Sequence, residues 1–121
     1  MNFNLKEFKR FEKQIILKKV GIQGQKKIKK AKILIIGIGG LGCPLLTYLA
    51  ASGIGHVGIV DSDKVEISNL NRQILFNNND LNKYKVIQAK AHVKKINKNI
   101  KIKIFKSRLT FKNIKSILKN Y

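Results

Sequence analysis

Residues 32–63 read KILIIGIGGLGCPLLTYLAASGIGHVGIVDSD, and the fold of the chain turns on how this stretch is parsed. KILII is a continuous apolar run rich in β-branched residues, the kind found where a strand is buried on both faces of a parallel sheet. Leu41–Ser52 predicts a helix, with Pro44 near enough to its first turn to be tolerated and Gly53 suited to the left-handed position that closes a helix. HVGIVD predicts a second strand. Between first strand and helix, Gly37, Gly39 and Gly42 fit G-x-G-x-x-G. Glycines there permit a tight turn, let backbone N–H groups approach a phosphate and let the helix pack closely on the sheet, while the helix N-terminus adds a favourable dipole. Asp61 ends the second strand 19 residues after Gly42, the spacing at which a carboxylate accepts hydrogen bonds from a ribose. This layout predicts a nucleotide site, and so far a dinucleotide fits it as well as ATP.

The connection after Asp61, SDKVEISNLNRQILFNNNDLN, separates the two. It is too long for a simple turn and carries Asp63, Asn69, Asn71, Arg72 and Gln73, with Lys85 opening the next helix. Two cations and several amides at the mouth of the crevice exceed what a dinucleotide needs and suit a triphosphate, whose developing charge must be held during transfer. Arg72 can grip phosphate through two parallel N–H groups, and Lys85 can act as a mobile point charge. Further on, Lys83–Lys95 predicts a helix with Val86, Ala89, Val93 and Ile96 on one face, and KIKIF at Lys101–Phe105 alternates as a strand with one solvated side. Thr110 caps a last helix carrying Phe111, Ile114, Ile117 and Leu118.

Upstream, Leu5, Phe8, Phe11, Ile15 and Ile16 recur at helical spacing behind a possible N-cap at Asn4, and a short helical piece around Gln25–Lys30 follows a break at Gly21 and Gly24. The chain therefore divides into an N-terminal helical segment, residues 1–31, and a Rossmann-like nucleotide-binding half-domain, residues 32–121. The expected class is α/β: a doubly wound parallel sheet, incomplete, with about three strands and flanking helices. With no fourth strand, the strand containing Ile33–Ile36 would leave an unpaired edge.

Composition bounds the function. The 121 residues suffice for one domain, no apolar run has the roughly 18 residues of a membrane span, and the N-terminus lacks the apolar stretch of an export signal. A membrane role is not expected. The single cysteine, Cys43, makes neither an internal disulfide nor a zinc site, so a cytoplasmic address and no zinc are expected. The net charge of +20 invites a nucleic-acid reading. Lys, Ile and Asn, all with AT-rich codons, fill 54 of the 121 positions, and the lysines are scattered rather than clustered, so no nucleic-acid partner is expected. The charge still favours an acidic protein partner.

RFEKQIIL, GIGGLGC, IVDSDKVEISNLNRQ and the lysine of KYKV, in this order, resemble the ThiF/MoeB/HesA family, the bacterial relatives of ubiquitin-activating enzymes. The resemblance runs from about Arg10 onward. It implies binding of ATP and Mg²⁺ and adenylylation of the C-terminal glycine of a ubiquitin-like sulfur-carrier protein. It also implies that Gly40 meets the phosphates, that Asp61 holds the ribose, and that Asn69, Arg72 and Lys85 lie along the triphosphate. In the family an arginine of the R-Q-I-x-L segment reaches into the partner subunit of a homodimer; here that position is Lys13, which keeps the charge and loses the fork. The family's second half, with an aspartate for Mg²⁺, a thiol-bearing loop and zinc-binding cysteine pairs, has no counterpart in these residues. The Mg²⁺ site is thus expected to be incomplete, and a homodimer or a complementing C-terminal half is expected. Two other readings stand beside adenylylation: a non-catalytic nucleotide- or carrier-binding fragment, and an NAD-binding oxidoreductase.

Overall fold

The β-branched run forms β1 (Lys32–Ile36), HVGIV forms β2 (His56–Val60) and KIKIF forms β3 (Lys101–Phe105) in a computed structural model that describes residues 3–121. All pairings are parallel in the order β1-β2-β3, with Lys32, His56 and Lys101 aligned at one end and Ile36, Val60 and Phe105 at the other. The crossovers are α3 (Gly42–Ser52) and α4 (Lys85–Ile96), and α1 (Leu5–Ile15) and α2 (Gly21–Lys30) precede β1. Crossovers of one hand that step in one direction across a sheet put their helices on the same face. Ile35, Val57, Ile59 and Ile102 accordingly pack with Leu46 and Ala50 of α3 and Val86, Ala89 and Val93 of α4 in the main core. This is a Rossmann-like α/β fold. No helix among the described residues is long and apolar enough to cross a membrane.

β1 departs from the reading of a strand buried on both faces. It lies at the sheet edge, only Ile35 is buried along it, and Ile36 is 56% exposed. Its apolar composition records what parallel strands require, whereas exposure depends on how many strands flank it.

Gly53 closes α3 in the left-handed conformation at φ 93°, as its sequence position indicates. Gly24, by contrast, lies inside α2, and the break falls at Gly21, the first residue of that helix, at φ 58°. α1 is capped by Asn4, whose Oδ1 accepts the Glu7 N–H at 2.9 Å, yet of its apolar set only Phe11 is buried; Leu5 and Ile16 are largely exposed. α1 and α2 are tied to the end of α3 by amides: Gln25, fully buried, accepts from Gln14 at 2.8 Å, and both donate to the Ser52 carbonyl.

The long connection is ordered rather than featureless. Val65 and Phe76 anchor it in the core, and two short 3₁₀ turns, Ile67–Asn69 and Asn78–Asp80, reverse its course. Asp80, 3% exposed, pins it to α4 by pairing with His92 at 2.8 Å while accepting the Asn77 N–H. The last helix, α5, shrinks to Ile114–Leu118 because Thr110 and Asn113 cap one another in the preceding turn, leaving Phe111 fully exposed instead of on a packed face.

Candidate functional site

The glycine loop leaves β1 at the carboxyl edge of the sheet, where open α/β sheets form their ligand crevice. Gly37 turns the chain at φ 91°, and its N–H still bonds to the Val60 carbonyl at 2.7 Å. Gly42 starts α3 so close to that turn that a methyl on it would lie 2.0 Å from the Gly37 carbonyl oxygen. Gly39 and Gly40 lie between, and their N–H groups, with that of Leu41, donate no hydrogen bond within the described residues. Three free donors at the start of a helix form an anion cradle.

Asp61 braces this cradle. One carboxylate oxygen accepts the Ile38 N–H at 2.9 Å and the other accepts the Asp63 N–H at 2.8 Å, so a single side chain couples the glycine loop to the long connection. Each oxygen keeps a second lone pair for a ligand hydroxyl. The bracing role lies outside what spacing reveals, since it depends on which backbone groups come within reach.

The connection then folds over the loop. A methyl placed on Gly40 would touch Cγ and Cδ of Arg72 at 3.5 Å, so the arginine stem lies across the cradle. Its Nη1 donates to the Ser68 carbonyl and to Asn71 Oδ1, each at 3.0 Å, which orients the guanidinium. Asn69, almost fully buried, spends its Oδ1 on the Glu66 N–H at 2.9 Å and caps the turn that presents Arg72. Gln73 is 3% exposed and its Oε1 is buried without a partner; its Nε2 lies 3.8 Å from where a methyl of Gly39 would be. A buried amide oxygen without a partner costs about 1–3 kcal/mol unless a ligand or water satisfies it.

Lys85 corrects the expectation of a mobile surface charge. It is 6% exposed, and its nearest anion, Asp63, lies 3.9 Å away and is itself largely exposed. Its backbone N–H donates to the Asp63 carbonyl at 3.0 Å, which holds the start of α4 against the beginning of the long connection.

Lys13 is not brought to this cradle. α1 docks where Phe11 meets Gly53, Gln14 meets the Ser52 carbonyl and Arg10 meets the Ile96 carbonyl, all at the ends of α3 and α4 remote from the glycine loop. The 11 residues of α3 separate the two ends by roughly 16 Å at 1.5 Å per residue. One residue escaped the sequence reading: Arg108, which with Ser107 and Leu109 walls a crevice of about 350 Å³ against Gly37, Asp61 and Asp63. Its signal was position, three residues beyond the carboxyl end of β3.

Cys43 is fully buried, and burial pushes its thiol pKa up to about 11. The native protein is therefore expected to resist a disulfide reagent at pH 8 and to react once unfolded in denaturant; rapid native labelling would contradict the burial.

The ThiF family model matches residues 11–121. The adenylyltransferase and sulfurtransferase MOCS3 of Culex quinquefasciatus is 42% identical over 118 residues, covering 98% of this chain and 27% of the relative. The sulfur carrier protein adenylyltransferase of Thermus thermophilus is 39% identical over 121 residues, covering 100% of this chain and 45% of the relative. The chain thus spans less than half the length of these relatives. Among solved structures, E. coli MccB with ATP is 36% identical, with a TM-score of 0.70 over 78% of this chain and 28% of its own. E. coli tRNA N6-threonylcarbamoyladenosine dehydratase shares the fold, with a TM-score of 0.92 at 24% identity over 99% of this chain and 48% of its own.

Proposed function

This chain belongs to the ThiF family, and we propose that it binds ATP and takes part in adenylylating the C-terminal glycine of a ubiquitin-like sulfur-carrier protein. The observation that carries the reading is the packing of the Arg72 stem over Gly40 in a loop with three free N–H groups. The partnerless Gln73 amide oxygen and the unbonded N–H groups of Gly39, Gly40 and Leu41 fit a bound phosphate chain. The names of the two relatives, both adenylyltransferases and one acting on a sulfur carrier protein, support the reaction class.

ATP as substrate supplies the α-phosphorus that a carboxylate oxygen attacks and the pyrophosphate that leaves. This needs no protein nucleophile, which agrees with an inert Cys43. The residues supply position and charge. The loop N–H groups hold phosphate oxygens, Arg72 neutralises charge that builds in the transition state, and Lys85 offers a positive charge held in place by its own burial. Asp61 presents its remaining lone pairs to the ribose.

The same reading includes a second copy or a complementing half, in the cytoplasm. α3 carries no charged residue in a chain of net charge +20, and Leu41, Leu45 and Tyr48 stand exposed on it beside the glycine loop. A neutral apolar stripe is where two such chains can meet without bringing like charges together. A Tyr48→Glu variant is expected to be more monomeric in sedimentation at micromolar concentration; an unchanged monomer in both proteins counts against pairing there.

ATP–pyrophosphate exchange, with and without candidate sulfur carriers, tests the function directly. Carrier-dependent exchange supports adenylylation by this chain. Calorimetric binding of ATP without exchange leaves the nucleotide- or carrier-binding reading, and preference for NAD over ATP overturns the proposal.

A further inference from the structure

At the end of the sheet opposite the nucleotide crevice, Lys32, His56 and Lys101 are register partners across all three strands. Neighbouring parallel strands are about 4.8 Å apart, so three basic side chains stand side by side on one face. Lys32 and Lys101 flank His56 from the two outer strands, about 10 Å apart, and their like charges repel across it. The face is the one that α3 and α4 leave uncovered, and one step along it come Leu34, Gly58 and Lys103. Gly58 has no side chain, and the Tyr121 hydroxyl fills that space, closing one side of the hollow. The result is a cavity of about 390 Å³ walled by Lys32, His56, Lys101, Lys103, Asn120 and Tyr121, with no carboxylate side chain.

The His56 Nδ1 is buried without a hydrogen-bond partner. Burial, then Lys101 and Lys32, hold its pKa below the usual histidine range. The other charged groups facing this end are Lys103 on β3, Lys29 on α2 and Glu7 on α1, and Glu7 is already paired with Lys29 at 2.5 Å. Among the described residues no other side-chain carboxylate faces the row.

We propose that the Lys32–His56–Lys101 row is a second anion site, distinct from the nucleotide cradle, that takes a small phosphate-bearing anion. Such an anion removes the repulsion between the lysines, accepts from their ammonium groups and from the imidazole, and fits beneath Tyr121 in a hollow of limited size. A long nucleic-acid strand does not match a hollow closed on one side.

The test is an NMR titration of the two histidine rings in the intact chain, with inorganic phosphate and pyrophosphate as probes and chloride at matched ionic strength as control. Chloride screens the lysines without bridging them. Saturable phosphate binding, half-complete at about 1–10 mM, is expected to raise the His56 midpoint more than chloride does and to leave His92 unmoved. The shift should disappear in a Lys32→Gln/Lys101→Gln variant, whose exposed positions spare the core, while ATP binding at the cradle persists. A response equal to that of chloride overturns the proposal, as does a shift that survives in the variant. A single-stranded oligonucleotide that moves His56 when phosphate does not would replace it with a nucleic-acid contact.

Discussion

Arg72→Ala is expected to lower carrier-dependent ATP–pyrophosphate exchange by roughly 10²–10³, the cost of removing one preorganised donor from developing charge. The arginine is exposed and among the described residues its guanidinium is held by Ser68 and Asn71 alone, so its loss should leave thermal stability nearly unchanged. Lys85→Met is expected to lower exchange by a similar factor with a different signature in stability. The ammonium is almost fully buried with one anion 3.9 Å away, an arrangement in which removing the charge and keeping the volume is often neutral or stabilising. Exchange and melting temperature measured on both variants separate the roles. Exchange within threefold of the parent in either variant would remove that residue from the catalytic reading.

Gly42→Ala is expected to be the most damaging single-methyl change in the glycine loop. The added carbon would lie 2.0 Å from the Gly37 carbonyl oxygen and 3.1 Å from its carbon, both backbone atoms of the turn that β1 requires. Either the turn or the start of α3 must shift, at a cost of about 1–3 kcal/mol or more. For a chain of this length that lowers the melting temperature by roughly 4 °C per kcal/mol. Gly39→Ala behaves oppositely. Its methyl would meet only the Gln73 amide at 3.8 Å, an ordinary contact, so the fold tolerates it while the space above the loop N–H groups fills. Denaturation and ATP calorimetry on the pair should show Gly42→Ala failing in stability and Gly39→Ala failing in nucleotide affinity. Equal stability of the two variants would sink the distinction.

How far the sequence carried these assignments depends on the range of the interaction involved. The strands, α3 with its glycine closure, and the core face of α4 were legible because hydrophobic period and backbone preference act within a few residues. α1 was legible as a helix through its Asn4 cap, but not in its packing, since Phe8 and Ile16 look the same in sequence whether or not a neighbour covers them. Phe111 misled for the same reason. The long connection was readable as functional from its amides and cations, yet nothing local announced that Val65, Phe76 and the Asp80–His92 pair would hold it in place.

The sequence by itself determined the class of fold, the glycine cradle and the chemical types gathered around it, because those follow from residue identity at short separations. Only the tertiary structure decided that Lys85 is buried rather than mobile, that Asp61 braces two loops, that Arg72 lies across Gly40, and that Arg108 joins the crevice. The tertiary structure also put Lys13 at the far end of α3 and aligned Lys32, His56 and Lys101 in a single row. Each of these is a contact between segments far apart in the chain, and its geometry is set by strand register and helix packing, which no local pattern encodes.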